Sequence, residues 1–178
     1  GLPRGWIAMM KKSMRFLCPV FNSNRMVEEY TDRCYMAAAL NMKMLTADSF
    51  KKVKQLVKWK ESLLSHWSEV FVRDVSHEGG EEIAVHSDVT VSAEVNLGAI
   101  SPLDVSVRVY YGNLDDAGNI NATRDLTMDH IRETDGGVHL FETCITCDDT
   151  GRFGYTVRIL PSHPNLVYPV DLGLICWA

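Results

Sequence analysis

The sequence has no apolar run of about 18 residues or more, so no transmembrane helix is expected. It has no lysine between residues 76 and 178, where five arginines face 16 acidic residues. Phosphate contacts need cations, so this half is a poor nucleic-acid binder. Glycine (12) and proline (6) are too sparse for a collagen-like or low-complexity chain, and 46% hydrophobic with 23% charged residues is ordinary for a globular protein. The first residues, GLPRGWIAMM, carry an early charge, no small-residue cleavage site and no initiator Met. A signal peptide is therefore not expected, and the chain reads as a piece of something longer. The five cysteines (Cys18, Cys34, Cys144, Cys147, Cys176) are odd in number and irregular in spacing, and are expected to be reduced thiols of a cytosolic protein.

What is present changes character along the chain. Residues 1–75 carry 13 Lys+Arg against 7 Asp+Glu, and seven of the eight methionines lie before residue 45. Trp6, Met10, Met14 and Leu17 make one apolar helical stripe. Pro19 ends that helix, and Asn22-Ser23-Asn24 offers a turn and an N-cap for a second. A third helix is expected from the cap at Thr46-Ala47-Asp48, with Phe50, Val53, Val57, Leu64, Trp67 and Phe71 at helical spacing. Its lysines (Lys51, Lys52, Lys54, Lys58, Lys60) have no arginine among them and read as a solvated or docked face. The first two helices are short and strongly apolar, a composition suited to covering a larger body.

After the acidic hinge Glu78-Gly79-Gly80-Glu81-Glu82 the period falls from 3.6 to 2. Val89, Val91, Ala93, Val95 and Leu97 alternate with polar residues, as do Val105, Val107, Val109 and Tyr111. Turn signals recur at Ser101-Pro102, Gly112-Asn113, Gly118-Asn119, Asp135-Gly136-Gly137 and Asp149-Thr150-Gly151. About seven short strands are expected, further ones near 126–133, 138–147, 153–160 and 172–177. The fold class is thus α+β in two segments: N-terminal helices, then an immunoglobulin-like antiparallel β-sandwich. The expected division is 1–75 helices, 76–87 linker and 88–178 sandwich.

Catalytic and metal constellations are not evident. Cys144-Ile-Thr-Cys147 is a lone CxxC, and residues three apart on a strand point to opposite faces. The six histidines show neither HxH nor HExxH spacing. Asp115-Asp116, Asp148-Asp149 and Glu81-Glu82 read as solvated turns, and Asn121-Ala-Thr123 is a sequon that a cytosolic chain would not use. Gly151-Arg-Phe-Gly154 precedes a strand and is no phosphate cradle.

Three stretches carry a resemblance. They are WIAMMKKSMRFLCPVFNSNRMVEEYTDRCY (Trp6 to Tyr35), WKESLLSHWSEV (Trp59 to Val70), and the β region with SPLDVSVRVYYG, GRFGYTVRILPSHPNL and GLICWA. In this order they resemble the C-terminal end of bacterial and archaeal α-glucan phosphorylases, the glycogen/maltodextrin phosphorylase family. The resemblance implies glucosyl transfer between an α-1,4-glucan end and inorganic phosphate, dependent on pyridoxal phosphate bound to a lysine of the full-length enzyme. The family's Gly-Thr-Ser-Asn-Met-Lys-like segment is absent. Asn41-Met42-Lys43 only echoes it, so no catalytic or cofactor-binding residue is assigned to this chain. The remainder of the phosphorylase polypeptide is the implied partner, with α-1,4-glucan and a second copy of the chain as further candidates. Nucleic acid and membrane are not expected partners. The sandwich then reads as a structural or assembly module, or alternatively as a glucan-binding module. For the alternative, Tyr110, on the face opposite Val105, Val107, Val109 and Tyr111, and Trp177 near the chain end are the candidate sugar-stacking rings. The more ordinary reading of both rings is as caps on the edges of the core.

Overall fold

The structure, a computed structural model, describes residues 1–80, 83–148 and 150–178, the side chains of Ala122, Thr123 and Asp135 excepted. Glu81, Glu82 and Asp149, which belong to the acidic hinge and one acidic pair, therefore lie outside the described residues. The chain divides into two units, Gly1–Gln55 and Leu56–Ala178.

The first unit is helical. Helix α1 (Arg4–Phe16) ends ahead of Pro19, and α2 (Ser23–Tyr30) is capped by Asn22, whose side chain accepts the Arg25 N–H at 2.8 Å. The same Asn22 amide donates to the carbonyls of Cys18 and Pro19, so one side chain closes the turn on both sides. A π-helical turn (Thr31–Tyr35) leads into α3 (Met36–His66). The helical backbone of α3 is broken at the expected place. Ala47 is extended, and Asp48, Ser49 and Phe50 are left-handed with φ of 50°, 54° and 64°. Thr46 does not cap the following segment; its hydroxyl bonds back to the Met42 carbonyl at 2.9 Å.

The second unit begins with the last turns of α3 and continues into two four-stranded antiparallel sheets. The strands among the described residues are β1 (Phe71–His77), β2 (Asp88–Asn96), β3 (Val105–Leu114), β4 (Ile120–Thr127), β5 (Asp129–Asp135), β6 (Val138–Thr146), β7 (Phe153–Pro161) and β8 (Cys176–Trp177). One sheet has the order β1-β2-β6-β5 and the other β4-β3-β7-β8. The alternation in β2 and β3 buries Val89, Val91, Ala93 and Val95 from one sheet and Val105, Val107, Val109 and Tyr111 from the other in a single apolar cluster. The chain changes sheets at Met128, a buried residue between β4 and β5 whose N–H bonds to the Val107 carbonyl.

Two readings of the sequence are corrected here. Helix α3 stops at His66, and Phe71, expected at the end of the helical stripe, opens β1. A bulge between Val72 and Asp74 explains the ambiguity: the extra residue slips the period-2 pattern, so β1 shows no clean alternation. The strand expected over 172–177 is the two-residue β8, preceded by a 3-10 turn, Pro169–Leu172.

The end of α3 belongs to the β core. Leu63 is its one buried residue, and Trp59 and Trp67 pack partly buried against the same cluster. Trp59 donates its indole N–H to Asp104 Oδ1 at 2.8 Å and lies 4.7 Å, centroid to centroid, from the His163 ring. The connection to β1 is held by Asn96, whose amide donates to the Glu69 carbonyl. Gly98 sits at φ +55° against the Glu69 side chain, leaving no room for a Cβ.

Candidate functional site

The outward face of the β4-β3-β7-β8 sheet carries the two rings singled out from the sequence. Val109 and Tyr111 of β3 point into the core, so Arg108 and Tyr110 point away from it. Register does the rest. Tyr110 stands opposite Asp125 of β4, Arg108 opposite Arg158 of β7, and Arg158 opposite Trp177 of β8.

Two arginines facing one another across a strand pair would repel. Asp125 resolves this by accepting from both: Arg108 Nε at 2.8 Å on one oxygen and Arg158 Nη2 at 2.6 Å on the other. Burial alone would raise the Asp125 pKa. The two arginine hydrogen bonds and charges outweigh it and hold the carboxyl below its ordinary 3.8.

The rings then assemble around Arg158. Tyr110 and Trp177 meet edge to face, with centroids 5.7 Å apart and planes at 80°. The Arg158 guanidinium lies 5.6 Å from the Tyr110 centroid and 5.5 Å from that of Trp177. Its Nε is buried without a hydrogen-bond partner among the described residues. Trp177 stays 45% exposed. The result is a fixed patch with apolar ring surface beside planar hydrogen-bond donors.

Sequence reasoning found the rings but not the ion network that clamps them. Arg108 and Arg158 each show as an outward arginine in an alternating strand, and Asp125 as an acidic residue among turn signals. Their convergence depends on the pairing register, which no local signal specifies.

The other candidates disperse. Cys144 is exposed and Cys147 buried, so the CxxC sulfurs do not share a face, and burial raises the Cys147 pKa. Among the described residues no group of three or more His, Cys, Asp or Glu could hold a metal ion. Asp115 closes the turn after β3, accepting from the backbone N–H groups of Asn119 and Ala117, and these bonds lower its pKa. Lys43 is exposed within α3. A cavity of about 520 Å3 opens between the sheets near Val89, Ile145, Phe153 and Tyr155. Within its lining the Tyr155 hydroxyl and His77 Nδ1 lie 2.8 Å apart.

Comparison with known proteins follows the whole chain. It is 33% identical over 175 residues to a maltodextrin phosphorylase of Thermococcus litoralis, covering 97% of this chain and 20% of that protein. It is 29% identical over 179 residues to glycogen phosphorylases of Mycobacterium bovis and Mycobacterium tuberculosis, covering all of this chain and 21% of each. The chain thus spans about a fifth of the length of the curated relatives it matches. A likeness to a solved alkylpurine DNA glycosylase from Pseudomonas fluorescens has a TM-score of 0.36 at 14% identity, over 57% of this chain and 32% of that one, and carries no argument. The family model described as the glycogen phosphorylase C-terminal domain matches residues 67–178, and the chain belongs to that family.

Proposed function

We propose that this chain is the C-terminal part of a longer, cytoplasmic α-glucan phosphorylase, and that it serves that enzyme as a structural and assembly module. The longer polypeptide transfers a glucosyl unit between an α-1,4-glucan end and inorganic phosphate, with pyridoxal phosphate held outside these 178 residues. The supporting observation is the contrast in burial. Between Gly1 and Gln55, all described, not one residue is buried, while Trp6, Met14, Phe21, Tyr35 and Met42 are each more than half exposed. Apolar surface on this scale is characteristic of an interface. The two sheets and the end of α3, by contrast, bury a shared core of their own. Residues 1–55 accordingly pack on the remainder of the enzyme, and an immunoglobulin-like sandwich is appended to it.

The test is to sequence upstream of the Gly1 codon and express the complete reading frame. The expected product releases glucose 1-phosphate from maltodextrin and inorganic phosphate, whereas the 178-residue chain alone does not. Removing residues 67–178 from it should lower thermal stability or disrupt assembly more than it lowers turnover per folded molecule. A complete product without phosphorolytic activity would overturn the proposal.

A further inference from the structure

Resting on the reading just given, we infer that the Tyr110–Arg158–Trp177 patch on the outward face of the β4-β3-β7-β8 sheet binds α-1,4-glucan. Sugar recognition needs an apolar ring face for the C–H side of a pyranose and nearby groups that exchange hydrogen bonds with its hydroxyls. The patch holds both. Tyr110 and Trp177 meet at 80°, which forms a corner rather than a flat stack, and Trp177 keeps 45% of its surface in solvent. Asp125 uses one donor from each arginine, and a guanidinium carries five N–H groups, so in-plane donors remain on Arg108, whose side chain is 30% exposed. Thr156 stands opposite Tyr110 and Thr127 opposite Arg108, which adds a hydroxyl to each flank.

Charge favours a neutral ligand over an anion. The two arginines are already neutralised in part by Asp125, and residues 76–178 hold 16 acidic groups against five arginines. An anionic polymer would meet repulsion from most of this unit. The clamp is also formed before any ligand arrives. Arg158 fixes both rings through the Asp125 network, so little side-chain freedom is lost on binding.

The experiment titrates maltoheptaose into the isotope-labelled 178-residue chain, following the Trp177 indole and the backbone amides of β3, β7 and β8 by NMR. One or two rings supply limited apolar area, so the expected dissociation constant is on the order of 0.1 to 10 mM. It should change less than about twofold between roughly 50 and 500 mM salt. Trp177→Ala should weaken binding about tenfold or more with an unchanged far-UV spectrum, and Trp177→Phe should restore part of it. Three results would overturn the site: no saturable shift at about 10 mM sugar, equal binding by Trp177→Ala, or shifts caused by inorganic phosphate and not by maltoheptaose. Phosphorolysis by the complete polypeptide without binding here overturns the site alone. Binding here without phosphorolysis supports the site and overturns the functional reading.

Discussion

Replacing Leu63 with alanine should destabilise the β unit substantially, although Leu63 lies on a helix assigned by sequence to the other half of the molecule. Leu63 is 3% exposed and is the one buried residue of α3, while its neighbour Leu64 is 53% exposed. Burying a leucine side chain contributes about 1.5–3 kcal/mol. Truncation to alanine adds a cavity term, and the lower part of the ~2–5 kcal/mol range applies, because a helix docked by one face can settle into part of the void. We expect a loss of about 2–3 kcal/mol for Leu63→Ala and less than about 0.5 kcal/mol for Leu64→Ala. Urea unfolding followed by tryptophan fluorescence reads both, since Trp59, Trp67 and Trp177 all lie in this unit. With an m-value of about 2 kcal/mol/M, the Leu63→Ala midpoint should fall by about 1–1.5 M. Equal midpoints for the two variants would show that the end of α3 is not part of this core.

Three further outcomes are expected. Burial, then the neighbouring His130 with its Nε2 3.1 Å from His139 Nδ1, holds the His139 pKa below 6.5, against an opposing pull from Glu133. The unfolded chain therefore takes up the proton first, and stability present above pH 6.5 declines as pH falls below it. His139→Phe should flatten that part of a pH-dependent melting curve. Asp125, depressed below 3.8, contributes stability that is lost only as pH drops under that value. Asp125→Asn should remove this acid limb and cost about 1–3 kcal/mol at neutral pH, by leaving Arg108 and Arg158 face to face. Iodoacetamide should label Cys18, Cys34 and Cys144 in the folded chain and reach Cys147 only on unfolding, because Cys147 is buried with a raised pKa. Mass-spectrometric peptide mapping checks the order of labelling.

Much of the fold could be read from periodicity. The stripe of Trp6, Met10 and Met14 marks α1, the cap at Asn22 is where it was expected, and the alternation of Val89 to Val95 and Val105 to Tyr111 marks β2 and β3. β1 was not legible because the bulge after Val72 erases its period, and its first residue continues the helical spacing of α3. The sheet change at Met128 left no signal, since one buried methionine between two polar-looking strands reads as part of a single strand. At the candidate site, the outward face of Tyr110 followed from the pattern of β3. Its meeting with Trp177 did not, because β8 is two residues long and pairs with β7 across a long loop. Arg158 and Asp125 became site residues only through register.

The central claim is that residues 1–55 are ordered by a body outside this chain, whereas the β unit stands on its own core. Hydrogen–deuterium exchange measured on the 178-residue chain and on the complete polypeptide tests it directly. The account predicts that amides of α1, α2 and the first half of α3 exchange quickly in the isolated chain and become protected by about a hundredfold or more in the complete protein. Amides of β2, β3, β6 and β7 should be protected alike in both. Strong protection of α1 and α2 in the isolated chain, or no gain in the complete protein, would contradict it.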